Sequence, residues 1–186
     1  MRFKSFGFTI AEVLVVTGLF MIMFVFGIGI LISNNRFYNT QSASIRAVNS
    51  IRDAGDKLSE FARSASAFVD SYVYNSTLYE AGSALVILNV PAVDASGDII
   101  SSASDYMILG RDPSVSDRLI LIVAPHASSS RKERVLEFSD KLSGISFVYD
   151  NFPVSSAKNV VYDITVTEDL AHDATGHITG SATIRN

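Results

Sequence analysis

Along the first third of the chain the apolar positions follow two successive patterns. From Val13 to Ile32 no residue is charged, and only Thr17, Gly18, Gly27 and Gly29 interrupt a run of large apolar side chains. A helix of that length rises about 30 Å, the thickness of a bilayer core, so the pattern predicts a membrane-crossing helix. Beyond Ser33-Asn34-Asn35 the pattern turns amphipathic. Ile51, Ala54, Leu58, Phe61, Ala62, Ala65, Phe68 and Val69 recur at helical spacing on one face, and Arg52, Asp53, Asp56, Lys57, Glu60 and Arg63 on the other. No proline intervenes before Pro91. One unbroken helix is therefore predicted from about Phe8 to about Asp70, supported by an Asp53–Lys57 pair at the favourable i,i+4 spacing.

From about Ser71 the period changes to two. Val160, Tyr162, Ile164 and Val166 alternate with Val161, Asp163, Thr165 and Thr167, and Ile178, Gly180, Ala182 and Ile184 repeat the pattern. The continuous apolar runs Ala84 to Leu88 and Leu119 to Val123 read as strands covered on both faces. Asp105 to Leu109, Glu133 to Phe138 and Ile145 to Tyr149 are weaker strand candidates. Between them, Pro91 to Asp98, Arg111 to Asp117, Pro125 to Lys132 and Asp150 to Asn159 have the composition of loops. The expected class is α+β: a long N-terminal helix, half transmembrane, packed through its second half on one mainly antiparallel β-sheet head. Its divisions are a leader at 1–7, the membrane helix at 8–33, the amphipathic continuation at 34–70 and the head at 71–186.

Charge and composition narrow the chemistry. The formal charge of −4 argues against a general nucleic-acid binder, which needs clustered Lys and Arg to displace counterions. With no cysteine, disulfide frameworks, cysteine-based zinc sites and thiol catalysis are excluded.

Arg2 and Lys4 precede the apolar run, so the positive-inside rule keeps the N-terminus in the cytoplasm and places the head outside. No small-residue secretory cleavage motif follows the run. The informative residues come before it, in Lys4-Ser5-Phe6-Gly7-Phe8-Thr9-Ile10-Ala11-Glu12. This segment resembles the prepilin peptidase signal of type IV pilin-like proteins: a short basic leader, a Gly, then Phe-Thr-x-x-Glu opening a hydrophobic helix.

The resemblance covers nine residues and the polar-to-apolar layout around them. It implies cleavage after Gly7 by a membrane prepilin peptidase and N-methylation of Phe8. Thr9 and Glu12 would serve assembly, Glu12 meeting the Phe8 amine of a neighbouring subunit and setting the axial register. The implied protein is a minor pilin or pseudopilin of a type IV pilus or type II secretion-like filament, with no catalytic role. Its partners would be sibling pilin or pseudopilin subunits and the inner-membrane assembly platform. It would reside first in the cytoplasmic membrane and then in an extracytoplasmic or cell-surface filament. The segment Gly144 to Tyr149 and the ending Ala182-Thr183-Ile184-Arg185-Asn186 are similar to those of minor pilins and pseudopilins. Gly27 and Gly29 lie where major pilins often carry a helix-breaking proline; low helix propensity there would let the helix stretch, yet glycines are also common in membrane helices. Glu12 also has a plainer reading, as an acidic cap on the first helical turn, and the two roles are compatible.

The remaining candidates are weaker. The stretch Glu168 to His177 holds Asp169, His172, Asp173 and His177, a density of ligands that would suit calcium or a transition metal. Its spacing matches neither an EF-hand nor a zincin helix, and a polar hairpin loop explains it as well, so no metal ligand set or cofactor is assigned. Arg131, Lys132 and Arg134, with Arg111 and Arg118, would give a DNA-binding tip or uptake subunit if they converged; otherwise they form a solvated loop. There is no Gly-x-Ser-x-Gly elbow and no phosphate-binding glycine loop. A single-pass protein with an exported head and no filament is the third reading.

Overall fold

The computed structural model describes residues 9–168 and 174–185. The chain falls into two units, one ending at Ser42 and the other beginning at Ala43. In the first, helix α1 (Ile10–Ser64) exposes every large apolar side chain it carries up to Tyr38, Phe24 for example at 70%. The helix continues unbroken through Gly27 and Gly29. It contains a stretch long and apolar enough to cross a membrane, none of it buried by protein.

In the second unit the remainder of α1 buries Ala43, Ala47, Ile51, Ala54, Gly55, Leu58 and Ala62. These recur at three- and four-residue intervals, so they form one stripe. Most are small, which lets the helix axis approach the sheets closely. The opposite side is charged and exposed, and Lys57 there pairs with Glu60 at 2.5 Å, not with Asp53. α1 stops at Ser64, short of the predicted Asp70. Its last turn tightens as Ala65 N–H reaches Ala62 O, and the Ser66 N–H then bonds Asn89 O at 2.8 Å. A sheet edge competes with the helix for these backbone groups and wins. Ala65 and Phe68, predicted on the helical stripe, are buried all the same, Phe68 from a strand.

Among the described residues ten strands follow: β1 (Ala67–Phe68), β2 (Ser71–Tyr74), β3 (Thr77–Glu80), β4 (Leu85–Val93) and β5 (Ile99–Arg111). After them come β6 (Leu119–Ala124), β7 (Arg134–Ser139), β8 (Leu142–Tyr149), β9 (Asn159–Glu168) and β10 (Ala174–Thr183). All pairings are antiparallel, but they build three sheets where the sequence pattern suggested one: β1-β4-β5-β6-β7, β10-β9-β8 and the hairpin β2-β3. Pro91 to Val93, expected in a loop, belong to β4. The register shifts between Pro91 and Ala92, a place where a residue without an N–H does little harm to the ladder.

The main core lies between α1, one face of the five-stranded sheet and the inner face of the three-stranded sheet. On the far face of the five-stranded sheet a second cluster, Leu85, Ile87, Ile108, Ile120 and Ile122, is closed by Tyr79 of the β2-β3 hairpin. Coverage on both sides is why Leu85 to Leu88 and Leu119 to Ala124 are apolar without alternation. The hairpin turns at Asn75 and Ser76 with φ of 47° and 64°, a left-handed pair that twists as the strands do. In the main core, Tyr162 lies between α1 and β10. A Cβ on Gly55 would sit 2.6 Å from its Oη, and one on Gly180 would also collide with it.

Candidate functional site

Gly7 and Phe8 lie outside the described residues. Immediately after them the chain is ordered by a reciprocal pair of contacts. The Thr9 N–H and the Thr9 hydroxyl both donate to Glu12 Oε2 at 2.9 Å, and the Glu12 N–H donates to Thr9 Oγ1 at 3.3 Å. This is a capping box: two of the helix's unpaired N-terminal donors are satisfied by the side chains three residues apart. The acidic side chain of Glu12 also faces the positive end of the helix dipole. The capping role is therefore present, and Glu12 Oε2 carries it. A few residues on, Thr17 Oγ1 folds back onto Val13 O at 2.7 Å, so the hydroxyl inside the apolar stretch is satisfied by its own helix.

The three basic residues do not form one surface. Arg131 reaches inward: its guanidinium contacts Asp105 Oδ2 at 2.5 Å and Pro91 O at 2.6 Å. Asp105 is wholly buried and also accepts the His126 N–H at 2.7 Å and the Ser129 hydroxyl at 2.8 Å. A buried carboxylate demands such donors, and here they clasp the β6-β7 loop onto β4 and β5. Lys132 and Arg134 are exposed. Arg134 is paired opposite Val123 at one end of β6, whereas Arg118 precedes Leu119 at the other, about 17 Å of strand away. Arg118 is occupied there by Glu137 at 3.0 Å and Asp112 at 3.9 Å. Arg111 is opposite Leu119, also far from Arg134.

Asp105 is the residue sequence reasoning passed over. The available signal was a carboxylate standing directly before the apolar run Tyr106 to Leu109. Ser129, Asp105 and His126 are neighbours, yet they make no proton relay: the hydroxyl bonds the carboxylate directly, and His126 Nδ1 accepts the Ser128 N–H at 3.2 Å. Nearby, the Tyr74 hydroxyl donates to Glu133 Oε1 at 2.5 Å, a bond that pushes its phenol up to about 12. Burial raises Tyr149, whose hydroxyl donates to Leu85 O at 3.1 Å.

Of the proposed metal-rich stretch, Asp169, His172 and Asp173 lie outside the described residues. His177 Nε2 is 2.8 Å from Asp163 Oδ2, which also accepts the Thr179 hydroxyl at 3.1 Å. Among the described residues no three His, Asp or Glu side chains converge.

Compared with protein-family models, curated proteins and solved structures, the chain matches none.

Proposed function

We propose that this chain is a type IV pilin-like prepilin, a minor pilin or pseudopilin that serves as a structural subunit of a pilus or a type II secretion-like filament. The observation that carries this reading is one helix with two environments. The capping box at Thr9 and Glu12 starts α1 directly after the Gly7-Phe8 pair, the helix bares apolar side chains on all sides up to Tyr38, and it then turns into the core helix of a sheet-rich body. A protein with an apolar rod ahead of a packed body must place that rod in lipid or among copies of itself.

In this account the chain is inserted with its N-terminus in the cytoplasm and cut after Gly7. The Phe8 amine is methylated, and α1 passes from the bilayer into the axis of a filament. Glu12 has a second oxygen, Oε1, outside the capping box, and this oxygen meets the amine of a neighbouring Phe8. The apolar residues of α1 exchange lipid for neighbouring helices at little cost, while Glu12 supplies the specificity that apolar contact lacks. The body beyond Ala43 is carried to the filament surface.

The test is incorporation. In cells that assemble the filament, the chain should be recovered in the sheared filament fraction. Its Glu12→Leu variant should remain in the membrane, cut and methylated. Recovery of both forms only in the membrane, alongside intact filaments, would refute the reading.

A further inference from the structure

The β2-β3 hairpin covers the far face of the five-stranded sheet, yet it belongs to neither larger sheet. Among the described residues no backbone hydrogen bond joins 71–80 to another strand. The hairpin's base is closed on itself, the Ala81 N–H donating to Asp70 O at 2.8 Å. A lone two-stranded hairpin is marginally stable in water, so this one depends on its side chains to stay in place.

Those side chains are unusual for a core. The register Tyr72↔Tyr79 and Tyr74↔Thr77 sets three tyrosines on the face that packs with the cluster, while Val73 and Leu78, opposite each other, are exposed on the outer face. The Tyr72 ring stacks on Tyr106 of β5 at 4.0 Å. Beneath lie aliphatic side chains, Ile87, Ile108, Ile120 and Ile122. A tyrosine joins an apolar ring to a polar tip, so the hairpin's inner face is suited to water as well as to a dry sheet.

At the tip, beside the Asn75-Ser76 turn, the Tyr74 hydroxyl donates to Glu133 Oε1 at 2.5 Å. Glu133 stands two residues after Arg131, in the segment that Asp105 clasps to the sheet. Along β3 the seam is already parted. A groove of about 440 Å³ is lined by Leu78 and Tyr79 of the hairpin and by Leu85, Arg111 and Pro113 beyond it.

We propose that the β2-β3 hairpin is a flap that swings off the five-stranded sheet as a unit, latched at its tip by Tyr74 on Glu133, while the rest of the body stays folded. Opening bares Ile87, Ile108, Ile120 and Ile122 and leaves the main core closed. The device concerns the body alone and does not depend on how the N-terminus is processed.

Because the chain has no cysteine, single thiols report the opening cleanly. Ile108 and Leu109 are adjacent on β5, 0% and 2% exposed, the first under the flap and the second in the main core. The detergent-solubilised full-length chain carrying Ile108→Cys or Leu109→Cys is treated with dithionitrobenzoate in urea below the unfolding transition, which circular dichroism locates for each variant. The Ile108→Cys thiol should react at a rate nearly independent of urea, because a swinging flap exposes little surface. The Leu109→Cys thiol should react only through global unfolding, its rate rising steeply with urea. Adding Tyr74→Phe should raise the urea-independent rate about three- to tenfold, as loss of a hydrogen bond to a charged group does. If Ile108→Cys does not fold, Ile122→Cys, paired opposite it on β6, takes its place. The same steep urea dependence at both faces, or a rate under the flap indifferent to Tyr74→Phe, would overturn the proposal.

Discussion

The two halves of α1 are one continuous helix built on opposite rules. From Val13 to Ile32 the side chains are mostly large, apolar and bare on every side, as with Phe20, Met23, Phe24 and Leu31. After Ala43 one stripe of small residues is buried, and the remaining faces carry Arg52, Asp53, Asp56 and Glu60. The first half has no preferred direction, which suits a medium or neighbours present all round. The second half has a single address, and its small residues are fitted to specific partners such as Tyr162. The contrast shows that the same backbone can be specified for a protein core by size and for an apolar surrounding by uniformity.

Leu58→Ala should break the buried half alone. Leu58 is 1% exposed, so losing its side chain should reduce the stability of the body by about 2–5 kcal/mol in chemical denaturation, with membrane partitioning unchanged. Phe24→Arg should do the reverse. A charge at the middle of the apolar stretch disfavours insertion by about 2.5–3.5 kcal/mol, so carbonate extraction should release the protein while the denaturation midpoint of the body stays put. A smaller effect is expected at the start of the helix, where Thr9→Ala removes the hydroxyl of the capping box and should speed amide exchange over the first turn only. The smallest is a pH effect in the body. Tyr74 is held neutral by its bond to Glu133, so its folded pKa lies above the usual 10 at about 12. That contribution to stability is complete below pH 10 and disappears as the pH rises toward 12, which phenolate absorbance of the wild type against Glu133→Gln should detect.

Much of this contrast was legible along the chain because it is a contrast of periods. Uniform apolarity, a 3.6-residue stripe and a two-residue alternation each leave a direct trace, and seven of the strands fall where alternation or apolar runs place them. What was not legible depends on competition between distant segments. α1 ends at Ser64 because Asn89, far along the chain, takes the Ser66 N–H. The β2-β3 hairpin turns on Asn75-Ser76, which lack the glycine that usually marks such a turn. The basic trio looked like a surface because nothing adjacent in sequence reveals that Arg131 turns inward to a carboxylate on β5. At the N-terminus the Thr-x-x-Glu spacing was visible, and it forms a capping box on the same two residues to which the proposed assembly role falls.

The central claim is that the bare half of α1 begins at a processed end. Intact-mass analysis of the chain purified from cells with an active prepilin peptidase tests this most directly. The account predicts a mature protein starting at Phe8 and one methyl group heavier than its sequence, with Gly7→Val leaving the leader attached. A chain retaining residues 1–7 under those conditions, or one trimmed without regard to Gly7, would contradict it.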